Sequence, residues 1–161
     1  MVELTKQTFT VEHVTIRSNK SFADTKSALE NSFARLDDGI LTLVRFGQAE
    51  RALEALESGP DLMIFGFRDH GGLLQVQGLK REAIQYDIGN PLTASKMTRH
   101  QLSAGLYAPL RVYLRESPEG EVAFEYDRPI SLFGQFGDAE VDIVAKDLDA
   151  LLERTLIAAA S

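Results

Sequence analysis

The sequence predicts an α+β domain: a mainly antiparallel sheet of five or six strands with helices packed on it. Three observations carry this. Short alternating or β-branched runs recur between helical stretches from residue 8 to residue 127. Two of those runs are joined by Ser117-Pro118-Glu119-Gly120, a tight-turn sequence that sets its own register. Residues 138–158 carry large apolar side chains at helical spacing, a stripe wide enough to cover a sheet. A length of 161 residues suits one domain, and an apolar share of 44% with a charged share of 25% suits a packed core.

The elements follow in order. Residues 8–17 (TFTVEHVTIR) alternate loosely and read as a first strand, with His13 inside it. Ser21 opens a helix with Asp24 three positions on, close to a capping box, and Phe22, Leu29, Phe33 and Leu36 recur at helical spacing. Asp37-Asp38-Gly39 is the expected stop, glycine supplying a left-handed cap. Ile40–Phe46 is short, apolar and partly β-branched, so a strand is expected. Gln48–Glu57 reads as a helix with Ala49, Leu53 and Leu56 inward. Asp61–Phe67 has strand length and leads into the polar turn Arg68-Asp69-His70-Gly71-Gly72. Leu73–Leu79 fits either a short strand or a helical turn. In Glu82–Ile88, Ile84, Tyr86 and Ile88 share one face of a strand.

Gly89-Asn90-Pro91 is a boundary: asparagine caps a helix and proline suits its first position. That helix is expected from Pro91 to about Ser103, with Ser95, Lys96, Arg99, His100 and Ser103 on one arc. Two strands follow, Leu106–Leu114 and Glu121–Asp127. Leu106, Ala108, Leu110, Val112 and Leu114 share one face; Tyr107, Arg111, Tyr113 and Arg115 share the other. The turn sets Ser117 opposite Glu121, Leu114 near Phe124, Val112 opposite Tyr126 and Arg111 opposite Asp127, so that the apolar residues meet on one side. Pro129–Phe136 reads as a short helix or ordered loop. Asp138 caps a last helix whose Val141, Val144, Ala145, Leu148, Leu151, Leu152 and Leu156 face a core.

Composition narrows the function classes. The chain has no cysteine, which excludes disulfides, thiolate metal sites and thiol catalysis. A net charge of −7 disfavours a nucleic-acid partner, which needs clustered Lys and Arg. No run approaches the length of a membrane span, and no apolar leader opens the sequence, so a soluble, cytoplasmic protein is expected.

Gly89-Asn90-Pro91, Ala94, Met97, Tyr107-Ala108-Pro109-Leu110-Arg111-Val112 and Tyr126-Asp127-Arg128-Pro129 form an ordered set that resembles the DUF302 family. Asp69-His70-Gly71 looks like one subgroup of it. The resemblance runs loosely from Phe9 to the final helix, as a single domain over residues 1–161. It implies a TT1751-like fold, an antiparallel sheet with helices packed on it, often as a homodimer, and no assigned activity. Here Arg68–Gln85 adds a turn and a strand relative to many relatives.

The polar side chains that could carry chemistry are Asp69, His70, Asn90, Lys96, Arg99, His100, Tyr107, Arg111, Glu125 and Asp127. The leading expectation is a non-catalytic site for a small or anionic ligand, made by Asp69, His70, Asn90, Lys96, His100, Tyr107 and Arg111. Its basis is the helix start at Pro91, which presents free N–H groups, with Arg111 converging from the adjacent strand. The competing structural reading has Asn90 only capping the helix and Arg111 only pairing with Asp127. An enzyme using His70 or His100 as general base is an alternative, since histidine titrates near neutrality, although no nucleophile motif accompanies either. A structural or interaction dimer without a small-molecule site is the third. The three histidines show no metal-ligand spacing, and no cofactor motif is present, so neither metal nor cofactor is expected. Phe65, Phe67, Tyr86, Tyr107, Phe133 and Phe136 could line an apolar cavity, or simply pack in the core.

Overall fold

In a computed structural model, which describes all 161 residues, the chain forms one six-stranded sheet in the order β1-β6-β5-β4-β3-β2. The strands are β1 (His13–Arg17), β2 (Ala34–Arg35), β3 (Met63–Asp69), β4 (Ala83–Gly89), β5 (Leu110–Glu116) and β6 (Val122–Asp127). Every pairing is antiparallel except the two-residue parallel contact of β2 with β3. The helices are α1 (Phe22–Ser32), α2 (Asp38–Arg45), α3 (Ala49–Glu57), the single turn α4 (His70–Leu73), α5 (Pro91–Thr98), α6 (Pro129–Phe133) and α7 (Ala139–Ala160). The mixed content of an antiparallel sheet and packed helices is the α+β class expected. No helix is long and apolar enough to cross a membrane.

Alternation places the core. Ile84, Tyr86 and Ile88 of β4, Leu110, Val112 and Leu114 of β5, and Val122, Phe124 and Tyr126 of β6 are all buried. They meet Phe22 and Leu29 of α1 and Val141, Ala145, Leu148, Leu152 and Leu156 of α7 in one continuous core. Burying that α7 stripe contributes about 10 kcal/mol before entropy is subtracted. The β5–β6 register is the expected one, with Leu114 opposite Phe124 and Val112 opposite Tyr126. Ser117 N–H donates to the Glu121 carbonyl at 2.8 Å, and Gly120 takes a positive φ of 86° in the turn.

The helix caps are those the sequence calls for. Asp24 N–H donates to Ser21 Oγ, Leu92 and Thr93 N–H to Asn90 Oδ1, and Glu140 and Val141 N–H to Asp138 Oδ1. The far end of α7 is clasped by the segment after β1: Asn19 N–H and Ser18 Oγ donate to the Ala160 carbonyl, and Lys20 Nζ to that of Ala159. These donors satisfy carbonyls that a helix end leaves free.

Several boundaries differ from the sequence expectation. Ile40–Phe46 is not a strand; its residues form most of α2. Asp37 accepts from Gly39 N–H at 2.8 Å and starts that helix, so Asp37-Asp38-Gly39 opens a helix rather than closing one. A short apolar run reads equally as strand or helix, and the cap decides it. α1 accordingly ends at Ser32, short of Leu36, because Ala34 and Arg35 pair with Met63 and Ile64. β3 reaches Asp69, two residues beyond Phe67. α5 ends at Thr98 rather than Ser103, since only Met97 of it is buried, and a 3-10 segment at Leu102–Tyr107 replaces the expected start of β5. Tyr107 therefore does not share a strand face with Arg111; it packs into an aromatic cluster. Leu74–Gln77 is also 3-10.

One polar contact ties α1 to the sheet. Tyr86 Oη donates to Glu30 Oε1 at 3.0 Å, and Lys26 pairs with the same carboxylate at 2.9 Å. Burial pushes Glu30 up, but the hydrogen bonds from Lys26 and Tyr86 outweigh it and hold the carboxyl below its ordinary value. A depressed carboxyl stabilises the fold above its unfolded pKa, and that stabilisation is lost as pH falls through the folded pKa. Tyr86→Phe is expected to cost about 1 kcal/mol at pH 7. It should also make the loss of stability shallower as pH falls through the folded pKa of Glu30; urea denaturation from neutral into acidic pH measures both.

Candidate functional site

The same alternation that builds the core sends a second set of side chains to the opposite face of the sheet. One row across it runs Thr15, Glu125, Tyr113, Gln85 and Arg68, and its neighbour includes His13, Asp127, Arg111 and Asp87. Most of the charges here neutralise one another. Arg68 pairs with Asp87 at 2.8 Å, Arg115 with Glu125 at 2.6 Å and Arg17 with Glu121 at 2.6 Å, while His13 lies 3.5 Å from Asp127. Arg111 is exposed and has no carboxylate within 4 Å, neither Asp127 nor Asp87, its register partner on β4.

His70 joins this face from above. Its ring meets that of Tyr113 edge-on, with centroids 5.7 Å apart, and its Nε2 is enclosed without a hydrogen-bond partner. Burial, and then the charge of Glu125, push the Tyr113 hydroxyl pKa up. Tyr113 is therefore a neutral donor on this face, not a phenolate.

Beside that row, where β3 hands over to β4 and the β5–β6 hairpin turns, lies a cleft of about 430 Å3. Ten residues line it and none but Pro118 is apolar. The fold builds it from three pinned turns. Asp69 Oδ1 accepts from Gly72 N–H at 2.7 Å and caps the start of α4. Gly71 presses that turn on the start of β4: a Cβ there would collide with the Arg81 carbonyl oxygen and lie 2.8 Å from Ala83 N. Glu116 N–H donates to the Glu82 carbonyl at 2.9 Å, and Ser117 Oγ accepts from Glu119 and Glu121 N–H, fixing the hairpin tip. Into the space so framed the chain places Lys80 and Arg81 beside Asp69, Glu82 and Glu116. Lys80, Glu82 and the Glu116 carboxylate take part in no ion pair, and Arg81 spends one donor on the Lys80 carbonyl. Such a set can bind a small polar molecule chiefly by charge and hydrogen bonds, with Pro118 as its main apolar contact.

The structure separates the residues that the sequence grouped. Asp69 lines the cleft, and His70 sits next to it with its ring turned to Tyr113. Asp69 pairs with Ile84 at the start of β4 whereas Asn90 follows its end, so the two lie roughly 20 Å apart along the strand. Asn90 is 7% exposed and fully engaged: Oδ1 caps α5 and Nδ2 donates to the Pro60 carbonyl at 3.0 Å. Lys96 is exposed beside a separate groove with Asp61, Asp147 and Arg154, and His100 is exposed past the end of α5. Tyr107 packs edge-on against Phe9, Phe133 and Phe136. Of the expected aromatic cavity, Tyr107, Phe133 and Phe136 thus form packed core, while Phe67 tilts against Tyr86 at the sheet edge. No three His, Asp or Glu side chains converge in a metal-binding arrangement.

Lys80, Arg81, Glu82 and Glu116 were not among the candidates read from sequence. Their signal was the charged run Lys80-Arg81-Glu82 between Gly78 and a strand, whose meaning depends on the distant hairpin tip that faces it. Tyr113 and Arg115 were legible as the polar parity of β5.

Two substitutions separate scaffold from site. Gly71→Ala should destabilise by about 1–3 kcal/mol through overpacking, because backbone rather than a flexible side chain stands in the way. Asn90→Ala should cost about 2 kcal/mol, combining a lost cap with an unsatisfied Pro60 carbonyl. Chemical denaturation of each variant measures these values.

A family model described as "Domain of unknown function DUF302" matches residues 42–159. The crystal structure of an uncharacterized conserved DUF302 protein from Bacillus stearothermophilus is similar over 91% of this chain and 97% of that one, with a TM-score of 0.67 and 17% identity. At that identity the likeness is one of fold. No curated protein matches the chain.

Proposed function

The chain belongs to the DUF302 family, and we propose that it is a non-catalytic binding domain, working as a homodimer, whose ligand is a small polar molecule carrying an anionic group. The observation that supports this most is the largely polar cleft at Asp69-Gly71-Gly72, where Lys80 and Arg81 make no direct ion pair. Lys80 and Arg81 are the anion-recognising groups in this reading. Glu82 and Glu116 can accept from N–H or O–H groups of the same ligand.

The cleft takes over the role first given to the α5 start, because Asn90 is consumed by capping and tethering. Arg111 stands on the sheet face and does not line the cleft. The alternative of a general base at His70 or His100 draws less support. His70 keeps Nε2 enclosed, and His100 lies beyond α5, away from the cleft.

Native mass spectrometry of freshly purified protein, with thermal-shift assays against a panel of carboxylates and phosphate esters, tests the proposal. A small molecule retained at one per chain, or a stabilising anion, is expected. Lys80→Ala with Arg81→Ala should weaken that binding at least tenfold, since each lost charge-assisted hydrogen bond is worth about 1.5–3 kcal/mol. Arg111→Ala should leave it unchanged, and neither change should alter unliganded stability by more than about 0.5 kcal/mol. A bare chain that no anion stabilises would overturn the ligand. The same spectrum reads the homodimer from its mass.

A further inference from the structure

The strands at the two edges of the sheet are finished differently. β1 shows His13, Thr15 and Arg17 outward, and both its flanks are tied down: Glu12 N–H donates to Ser131 Oγ before it, and Ser18–Lys20 clasp α7 after it. β3 at the other side is covered only at its start. β2 pairs with Met63 and Ile64; Phe65 then bulges out of register, and Gly66–Asp69 pair with β4 alone. No helix packs closely along β3. On an edge strand, alternate residues carry N–H and C=O groups that the sheet does not pair. The stretch also exposes two aromatic side chains, Phe65 at 38% and Phe67 at 48%.

One charge is placed with them. The Arg35 guanidinium lies 5.5 Å over the Phe67 ring and has no carboxylate within 4 Å, whereas Arg68 on the same strand is already paired with Asp87. We propose that the free edge of β3, Phe65–Asp69, docks an extended peptide from another protein, adding it to the sheet as a strand. The peptide would set an apolar side chain beside Phe67 and an acidic one within reach of Arg35.

A second copy of this chain fits the edge poorly. Antiparallel pairing about a two-fold axis centred on Phe67 brings the two Arg35 guanidiniums together. Centred on Arg68, it sets that arginine against itself. Centred on Gly66, it leaves three residues a side and opposes the two bulges that follow Ile64. Like charges directly opposed destabilise a strand pair. An acidic peptide meets none of these obstacles.

Panning a random heptapeptide library on the immobilised full-length chain tests this. Enriched peptides should alternate apolar residues and carry Asp or Glu. The Arg35→Glu protein should select Lys or Arg at that position instead. Phe67→Lys should weaken the best synthetic peptide at least tenfold, and N-methylation of alternate peptide amides should abolish binding while methylation of the intervening ones should not. Unchanged thermal melts would establish that both variants are folded. No enrichment, equal binding by the two methylated series, or unchanged selection by Arg35→Glu would overturn the proposal. So would sedimentation showing a wild-type dimer that Phe67→Lys converts to monomer, which would give the edge to a second copy.

Discussion

The two-residue repeat of β5 is the constraint on which the rest of the molecule depends. Leu110, Val112 and Leu114 must face the helices, so Arg111, Tyr113 and Arg115 must face away. A shift of one position would bury two arginines and expose three core side chains. β4 and β6 flank β5 and inherit its parity, and β1 and β3 inherit theirs in turn. One face of the sheet is therefore committed to hydrocarbon and the other to charge. The charged face is stable because most of it is internally balanced, through Arg17–Glu121, Arg68–Asp87 and Arg115–Glu125.

A similar tie secures the opposite corner. Arg128 donates to Asp149 Oδ2 at 2.6 Å and to Glu12 at 3.0 Å, joining α7, the end of β6 and the entry to β1. Asp149 is 7% exposed, and its burial pushes its carboxyl pKa up against the pull of Arg128. Burial, followed by the nearby Glu153 and Asp149, pushes Tyr126 up to about 12. Polar residues of this molecule divide by whether the fold uses them. Asn90, Ser117, Arg128 and Asp149 hold elements together, while the side chains of Lys80, Arg81 and Glu82 tie no element to another. The cleft is a candidate site because its charges are the ones left over.

What could be read from sequence was what local chemistry decides. The hairpin register, the caps at Ser21, Asn90 and Asp138, and the α7 stripe each depend on residues within a few positions of one another. The α+β class followed from them. α2 was misread because Ile40–Phe46 is seven residues long and its period cannot choose between strand and helix without its cap at Asp37. Tyr107 was misplaced because its partners, Phe9, Phe133 and Phe136, come from the two ends of the chain. Of the expected site residues, Asp69 lines the cleft and His70 adjoins it; the others stand elsewhere, because sequence neighbourhood around Pro91 says nothing of which end of β4 it occupies. Lys80, Arg81 and Glu116 become neighbours only when the β3–β4 connection and the hairpin tip meet.

The sheet order carries a consequence for how the chain comes together. β4, β5 and β6 follow one another in sequence and in space; β5 and β6 are joined by a tight turn, and only α5 and its 3-10 extension separate β4 from β5. β1 pairs with β6, whose residues come more than a hundred positions later. During synthesis β1 leaves the ribosome long before its partner exists, and it must wait, unpaired, while the central meander forms. Its polar alternation of His13, Thr15 and Arg17 suits that interval: a strand obliged to remain single for most of translation is one that offers little for other chains to adhere to.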